Sequence, residues 1–159
     1  MIKIPIARPY LNGREQYAVI EVLKSGWISQ GTKCIEFEQA LANFVGVKYG
    51  RAVNSGTSAI HLALLACDIR PGDEVIVPAF TCVATLHPLE HIGARPILVD
   101  IDIDTFGLDA SKLIEAITPR TKAVIVVHLF GLAADIVEIM RIASHYGLKV
   151  IEDAALSLG

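Results

Sequence analysis

Four short segments carry side chains whose type and spacing could do chemistry. Asn54-Ser55-Gly56-Thr57-Ser58 leads small residues and hydroxyls into an apolar, helix-like run. Free N–H groups and the helix dipole at such a start attract an anion, Gly56 lets it approach the backbone, and the Thr57 and Ser58 hydroxyls can donate. The same residue types also serve as plain helix caps. The second segment, residues 78–85, carries Phe80, Cys82 and several hydroxyls behind a β-branched run. The third is His128, after the apolar run 123–127; a histidine there can meet a ligand or simply hold structure by hydrogen bonds. The fourth is Glu152-Asp153-Ala154-Ala155, where Asp153 could hold a cationic nitrogen or act as the N-cap of a following turn.

The elements that position these residues read as an α/β alternation behind a helical N-terminal section. Helical spacing is seen over 14–24 (Tyr17, Ile20, Leu23), with Gly26 suited to end it, and again through Phe37, Leu41 and Phe44 up to Gly46. Strands are expected at 51–54, 74–77, 96–99, 123–127 and 148–152, and helices at 57–67, 83–92, 110–117 (capped by Asp109) and 135–146. The helix over 57–67 is apolar on nearly every side, which predicts that it is buried. Strands separated by helices argue for a largely parallel sheet covered on both faces, whose ligands collect at the carboxyl ends of the strands. The division expected is an N-terminal helical segment with a loop (1–50), to which the resemblance given below assigns the substrate, and an α/β part (51–159).

Composition bounds the rest. The 159 residues carry 14 Lys and Arg against 17 Asp and Glu, net −3. That leaves no basic field for nucleic acid or an anionic membrane. No apolar run approaches the ~20 residues of a membrane span, and the first ten residues lack the apolar stretch of a signal peptide. Cys34, Cys67 and Cys82 are odd in number and irregular in spacing, as expected of reduced thiols in a cytoplasmic protein. His87-Pro88-Leu89-Glu90-His91 matches a zinc-protease pattern, but no third ligand is indicated, and no metal site is expected. No GxGxxG follows any expected strand, which argues against a nicotinamide module.

Taken in order, several motifs resemble one family, the pyridoxal-phosphate (PLP)-dependent sugar aminotransferases of the DegT/DnrJ/EryC1/StrS type. They are Ser25-Gly26-Trp27-Ile28-Ser29-Gln30-Gly31, Val53-Asn54-Ser55-Gly56-Thr57-Ser58-Ala59, Pro71-Gly72-Asp73-Glu74-Val75-Ile76-Val77-Pro78, Val127-His128-Leu129-Phe130-Gly131 and Val150-Ile151-Glu152-Asp153-Ala154-Ala155. The resemblance implies the large domain of a fold-type-I (aspartate aminotransferase-like) enzyme. It implies amino transfer from glutamate to a nucleotide-linked keto-sugar, in a cytoplasmic homodimer. It sets Gly56, Thr57 and Ser58 on the cofactor phosphate and Asp153 on the pyridine nitrogen. Cys82 and Leu156 fall at cofactor positions, Phe80 near the ring, and Trp27, Ile28, Ser29 and His128 on the substrate side.

Three departures from the family pattern stand out. Cys82 replaces an aromatic residue that stacks on the ring. Leu156 replaces a glutamine that reaches the cofactor's phenolic oxygen, a bond leucine cannot make. The Schiff-base lysine of the family lies beyond the Glu-Asp-Ala-Ala motif, whereas all seven lysines here precede Asp153. The expectation is therefore an N-terminal fragment, inert by itself, with no catalytic residue in the chain and with sheet edges left exposed. The competing expectation is a non-catalytic binding or regulatory protein on the same fold.

Overall fold

The computed structural model describes residues 4–5 and 8–158 and divides into two compact units, Met1–Ala52 and Val53–Gly159. In the first unit, α1 (Gly13–Ser25) opens on a capping box. The Asn12 side chain accepts from the Arg14 N–H at 2.8 Å, and the Asn12 N–H donates to Glu15 at 2.7 Å. Gly26, at φ +73°, ends the helix in the left-handed region that favours glycine. The 26–31 loop closes on itself, because the Trp27 indole N–H donates to the Gln30 carbonyl at 3.0 Å. The indole lies so close to Gly31 that any Cβ there would collide with it. Helix α2 (Thr32–Val45) follows and stops at Gly46.

The second unit contains α3 (Gly56–Ala66), β1 (Glu74–Pro78), α4 (His87–Ile92), β2 (Arg95–Val99), α5 (Ala110–Ala116), β3 (Thr121–Val127), α6 (Ile136–Tyr146) and β4 (Lys149–Asp153). The four strands are parallel in the order β2-β1-β3-β4. Side-chain alternation along them feeds two cores. Val75, Val77, Ala123, Ile125, Val127 and Ile151 pack with Ile60 and Leu64 of α3 and Leu89 of α4. On the other face, Ile76, Val124 and Val126 pack with Leu113 of α5 and with Ile139, Ile142 and Ala143 of α6. Helices thus cover both faces, as a parallel sheet buried on both sides requires. The strand order reverses between β1 and β3, where such sheets bind ligands.

Three local expectations need correction. Residues 51–54 form no strand: no described strand pairs with them, and the Ala52 N–H instead donates to Glu38 at 2.9 Å. Residues 83–92 are not one helix. A 3-10 turn at Val83–Thr85 is followed by α4, and Pro88 at the helix start explains the break, since proline cannot donate within a helix and clashes with the preceding turn. Finally, α3 is not buried all round. Its Ile60 and Leu64 flank packs on the sheet, while Leu62 and Leu65 on the other flank are half exposed.

The amino edge of the sheet is closed by a buried carboxylate. Glu74, 1% exposed, accepts from the Thr118 hydroxyl at 2.5 Å and from Arg120 at 3.0 and 2.6 Å. The Thr118 hydrogen bond, then that of Arg120, hold its carboxyl below the usual glutamate range. This knot ties the start of β1 to the turn that precedes β3.

Candidate functional site at the carboxyl edge

Two groups meet the description of a bipolar ligand site at the other edge. The first is the start of α3. Ser55 is its N-cap, and its hydroxyl oxygen accepts from the Ser58 N–H at 3.1 Å. That satisfies one donor of the first turn and, among the described residues, leaves the N–H groups of Gly56 and Thr57 open. Among the described residues, nothing lies within 4 Å of where a Gly56 side chain would start, so a ligand can come up to the backbone. The Ser58 hydroxyl donates to the Asn54 side chain at 2.8 Å and lies 2.9 Å from the Ser55 hydroxyl. Among the described residues the Thr57 hydroxyl has no hydrogen-bond partner, which makes it the freer of the two.

The second group is Asp153, at the end of β4. One carboxylate oxygen accepts from the Thr85 hydroxyl at 3.0 Å, and the other from the Ala155 N–H at 3.2 Å. The Thr85 hydroxyl also lies 3.2 Å from that of Thr81. Thr85 is fully buried, whereas Asp153 is partly exposed. Sequence reasoning did not single out Thr85 as a site residue. The available signal was a pair of hydroxyls four residues apart behind a strand that ends at the ligand edge.

Topology places both groups at the same edge and on the same face. The turn after α3 leads directly into the amino end of β1, so the helix runs antiparallel to the strands and its start lies at their carboxyl ends. Ile151 packs into the core that α3 shares, and Asp153, two residues on, points to that same face. Helix α3 packs against both β4 and the 83–85 turn.

His128 and Glu152 are placed differently. The buried His128 ring receives the Ala134 N–H on Nδ1 at 3.2 Å, so the ring proton sits on Nε2 and is donated to Glu152 at 2.9 Å. Both partners belong to the face that α5 and α6 cover. The His128 carbonyl accepts from the Ser157 hydroxyl at 2.6 Å, and its N–H donates to the Asp153 carbonyl at 3.1 Å. With both ring nitrogens occupied, His128 straps the end of β3 to β4; the structure does not bring its side chain to that of Asp153.

Cys82 is exposed and immediately precedes the 83–85 turn. Beside it, Phe80 stands in a cluster with Phe106 and Phe130, with ring centroids 6.2 to 6.4 Å apart. Leu156 is exposed in the turn after β4. Trp27, Ile28 and Ser29 lie in the first unit's 26–31 loop, Trp27 and Ile28 exposed. Among the described residues, no group of three or more His, Cys, Asp or Glu could hold a metal ion, and no helix is long and apolar enough to cross a membrane.

Comparison with known proteins bears on the family and the fold. The chain is 49% identical over 158 residues to GDP-perosamine synthase of Caulobacter vibrioides, an alignment covering 99% of this chain and 43% of that protein. Among solved structures it is similar to NtdA from Bacillus subtilis with bound cofactor PMP (TM-score 0.88, 43% identity, 91% of this chain and 33% of that one). It is also similar to GDP-4-keto-6-deoxymannose-3-dehydratase with a trapped PLP-glutamate geminal diamine (TM-score 0.93, 34% identity, 99% and 42%). The chain thus spans less than half the length of these relatives. Its parallel sheet with helices on both faces is the fold-type-I arrangement of PLP-dependent sugar aminotransferases. The model of the DegT/DnrJ/EryC1/StrS aminotransferase family matches residues 9–159, and the chain belongs to that family.

Proposed function

We propose that this chain supplies the phosphate and ring-nitrogen contacts of a PLP-dependent aminotransferase that acts on a nucleotide-linked keto-sugar with glutamate as amino donor. The observation that carries this reading is the placement of the α3 start and Asp153 at one edge and on one face of the sheet. A phosphate and a cationic ring at the two ends of one ligand fit that pair. The open N–H groups of Gly56 and Thr57, the Thr57 hydroxyl and the dipole of α3 receive the phosphate. Ser58 contributes by re-aiming its hydroxyl from Asn54. Asp153 accepts from the protonated ring nitrogen. When bound, the cofactor serves as electron sink for the carbon that loses its proton.

Around these contacts, Cys82 gives a thinner support to the ring than an aromatic residue does, and Phe80 stands beside it. Leu156 leaves the phenolic oxygen to other partners. Trp27, Ile28 and Ser29 are assigned to the sugar-nucleotide substrate by the family resemblance alone. His128 contributes as a strap that holds the edge where Asp153 stands. All seven lysines of these 159 residues precede Asp153, and we assign none of them to carry the cofactor. We read these 159 residues by themselves as a binding element without turnover, and the protein as a cytoplasmic homodimer.

The GDP-sugar named for one relative and the GDP-keto-sugar named for another support a GDP-linked substrate. The test is to incubate the complete protein with PLP, glutamate and a GDP-linked 4-keto-6-deoxy-sugar and to follow products by mass spectrometry. The expected result is an amino-sugar nucleotide and 2-oxoglutarate in equal amounts. No transfer from glutamate to this or any other nucleotide-linked keto-sugar, by a protein that binds PLP, would overturn the reading.

A further inference from the structure

We propose that Thr85 is the positioning residue for the Asp153 carboxylate, and that Thr81 in turn orients Thr85. This rests on the reading of Asp153 as the ring-nitrogen partner. The direction of the relay comes from proton counting. An ionised carboxylate has no proton to give, so Thr85 donates across the 3.0 Å contact to Asp153. A hydroxyl has one proton, and that of Thr85 is now spent. The 3.2 Å contact between the two threonines therefore runs from the Thr81 hydroxyl to the Thr85 oxygen. The other Asp153 oxygen is fixed independently by the Ala155 N–H at 3.2 Å.

The carboxylate is thus gripped at both oxygens by segments far apart in the chain, one following β1 and one following β4. Burial makes the grip self-enforcing. Thr85 is 0% exposed, so turning Asp153 away would leave its buried hydroxyl proton only the longer 3.2 Å contact with the Thr81 oxygen, a neutral acceptor in place of a charged one. Packing alone does not require a hydroxyl here, since valine has the same shape. The relay also ties Asp153 to the 81–85 segment that carries Cys82. The residue assigned to the ring face and the residue assigned to the ring nitrogen are thereby held in one hydrogen-bonded unit.

The test uses the full chain with Thr85→Val, Thr85→Ser and Thr81→Val. Side-chain scalar couplings to the Asp153 carboxyl carbon report its rotamer without ligand, and fluorescence titration with pyridoxamine phosphate reports affinity. The parent and Thr85→Ser are expected to hold one Asp153 rotamer and similar affinity. Thr85→Val should average the rotamer and weaken pyridoxamine phosphate about tenfold, and Thr81→Val about threefold, with circular dichroism unchanged. A folded Thr85→Val chain that keeps the single rotamer, or that frees it with unchanged affinity, overturns the proposal. If Thr85→Val does not fold, the other two decide: parent-like behaviour in Thr81→Val, or loss in Thr85→Ser, overturns it. A freed rotamer in Thr85→Val, in a parent chain that does not bind pyridoxamine phosphate, sinks the cofactor reading and leaves the positioning of Asp153 standing.

Discussion

The two edges of the same sheet each hold a carboxylate, and the difference between them separates structure from function. At the amino edge, Glu74 is buried, takes three hydrogen bonds, and is paired with a guanidinium. At the carboxyl edge, Asp153 is partly exposed and takes one hydrogen bond on each oxygen. No cation of the protein pairs with it among the described residues, and the start of α3 on its face leaves two N–H groups open. A carboxylate saturated by its own fold has nothing left for a ligand. A carboxylate that is oriented but not neutralised does.

Removing each carboxylate should move different quantities. Glu74→Ala strips Thr118 and Arg120 of their acceptor, and its melting temperature at neutral pH should fall by roughly ten degrees. Its acid limb sharpens the point. The folded-state pKa of Glu74 is lowered, so its stabilisation is complete above the ordinary value of 4.5 and is lost as pH falls through the lowered folded value. Urea midpoints measured from pH 7 downward should therefore fall less steeply between 4.5 and the lowered folded value in Glu74→Gln than in the parent chain.

Asp153→Ala should do the reverse. Its melting temperature should stay within about two degrees, while affinity for pyridoxamine phosphate drops roughly thirtyfold. At the other end of the same site, Thr57→Val should cost about fivefold in that affinity, read in the same titration. The smallest effect should come from Arg141, whose bidentate pair with Glu138 on α6 is exposed. Arg141→Ala should shift the melting temperature by less than about two degrees, and less still in high salt. A shift as large as that of Glu74→Ala would break the contrast between saturated burial and surface pairing.

Much of this was legible in the residues. The β-branched runs of β1 and β3 announce strands covered on both faces. Gly26, Gly46 and Gly147 mark helix ends, and all three adopt positive φ. Asp153 and the Ser55–Ser58 segment stand out because small and charged residues interrupt apolar runs at strand and helix ends. What escaped depends on contacts between distant parts of the chain. Thr85 reads as one more β-branched residue until β4 is folded beside it, with Asp153 68 residues further along the chain. The strand expected at 51–54 has the right residue types, but no strand among the described residues pairs with it. The apolar outer flank of α3 signals burial, yet a helix lying on one sheet face buries only the side that meets the sheet.

The central claim is that Asp153 holds a positive ring nitrogen whose phosphate sits at the start of α3. Nitrogen NMR of pyridoxamine phosphate labelled with 15N in its ring tests this most directly, comparing the parent chain with Asp153→Asn near neutral pH. The account predicts a pyridinium-like shift on the parent chain and an unprotonated one on Asp153→Asn. Identical ring-nitrogen shifts on the two chains, with the ligand bound to both, would contradict it.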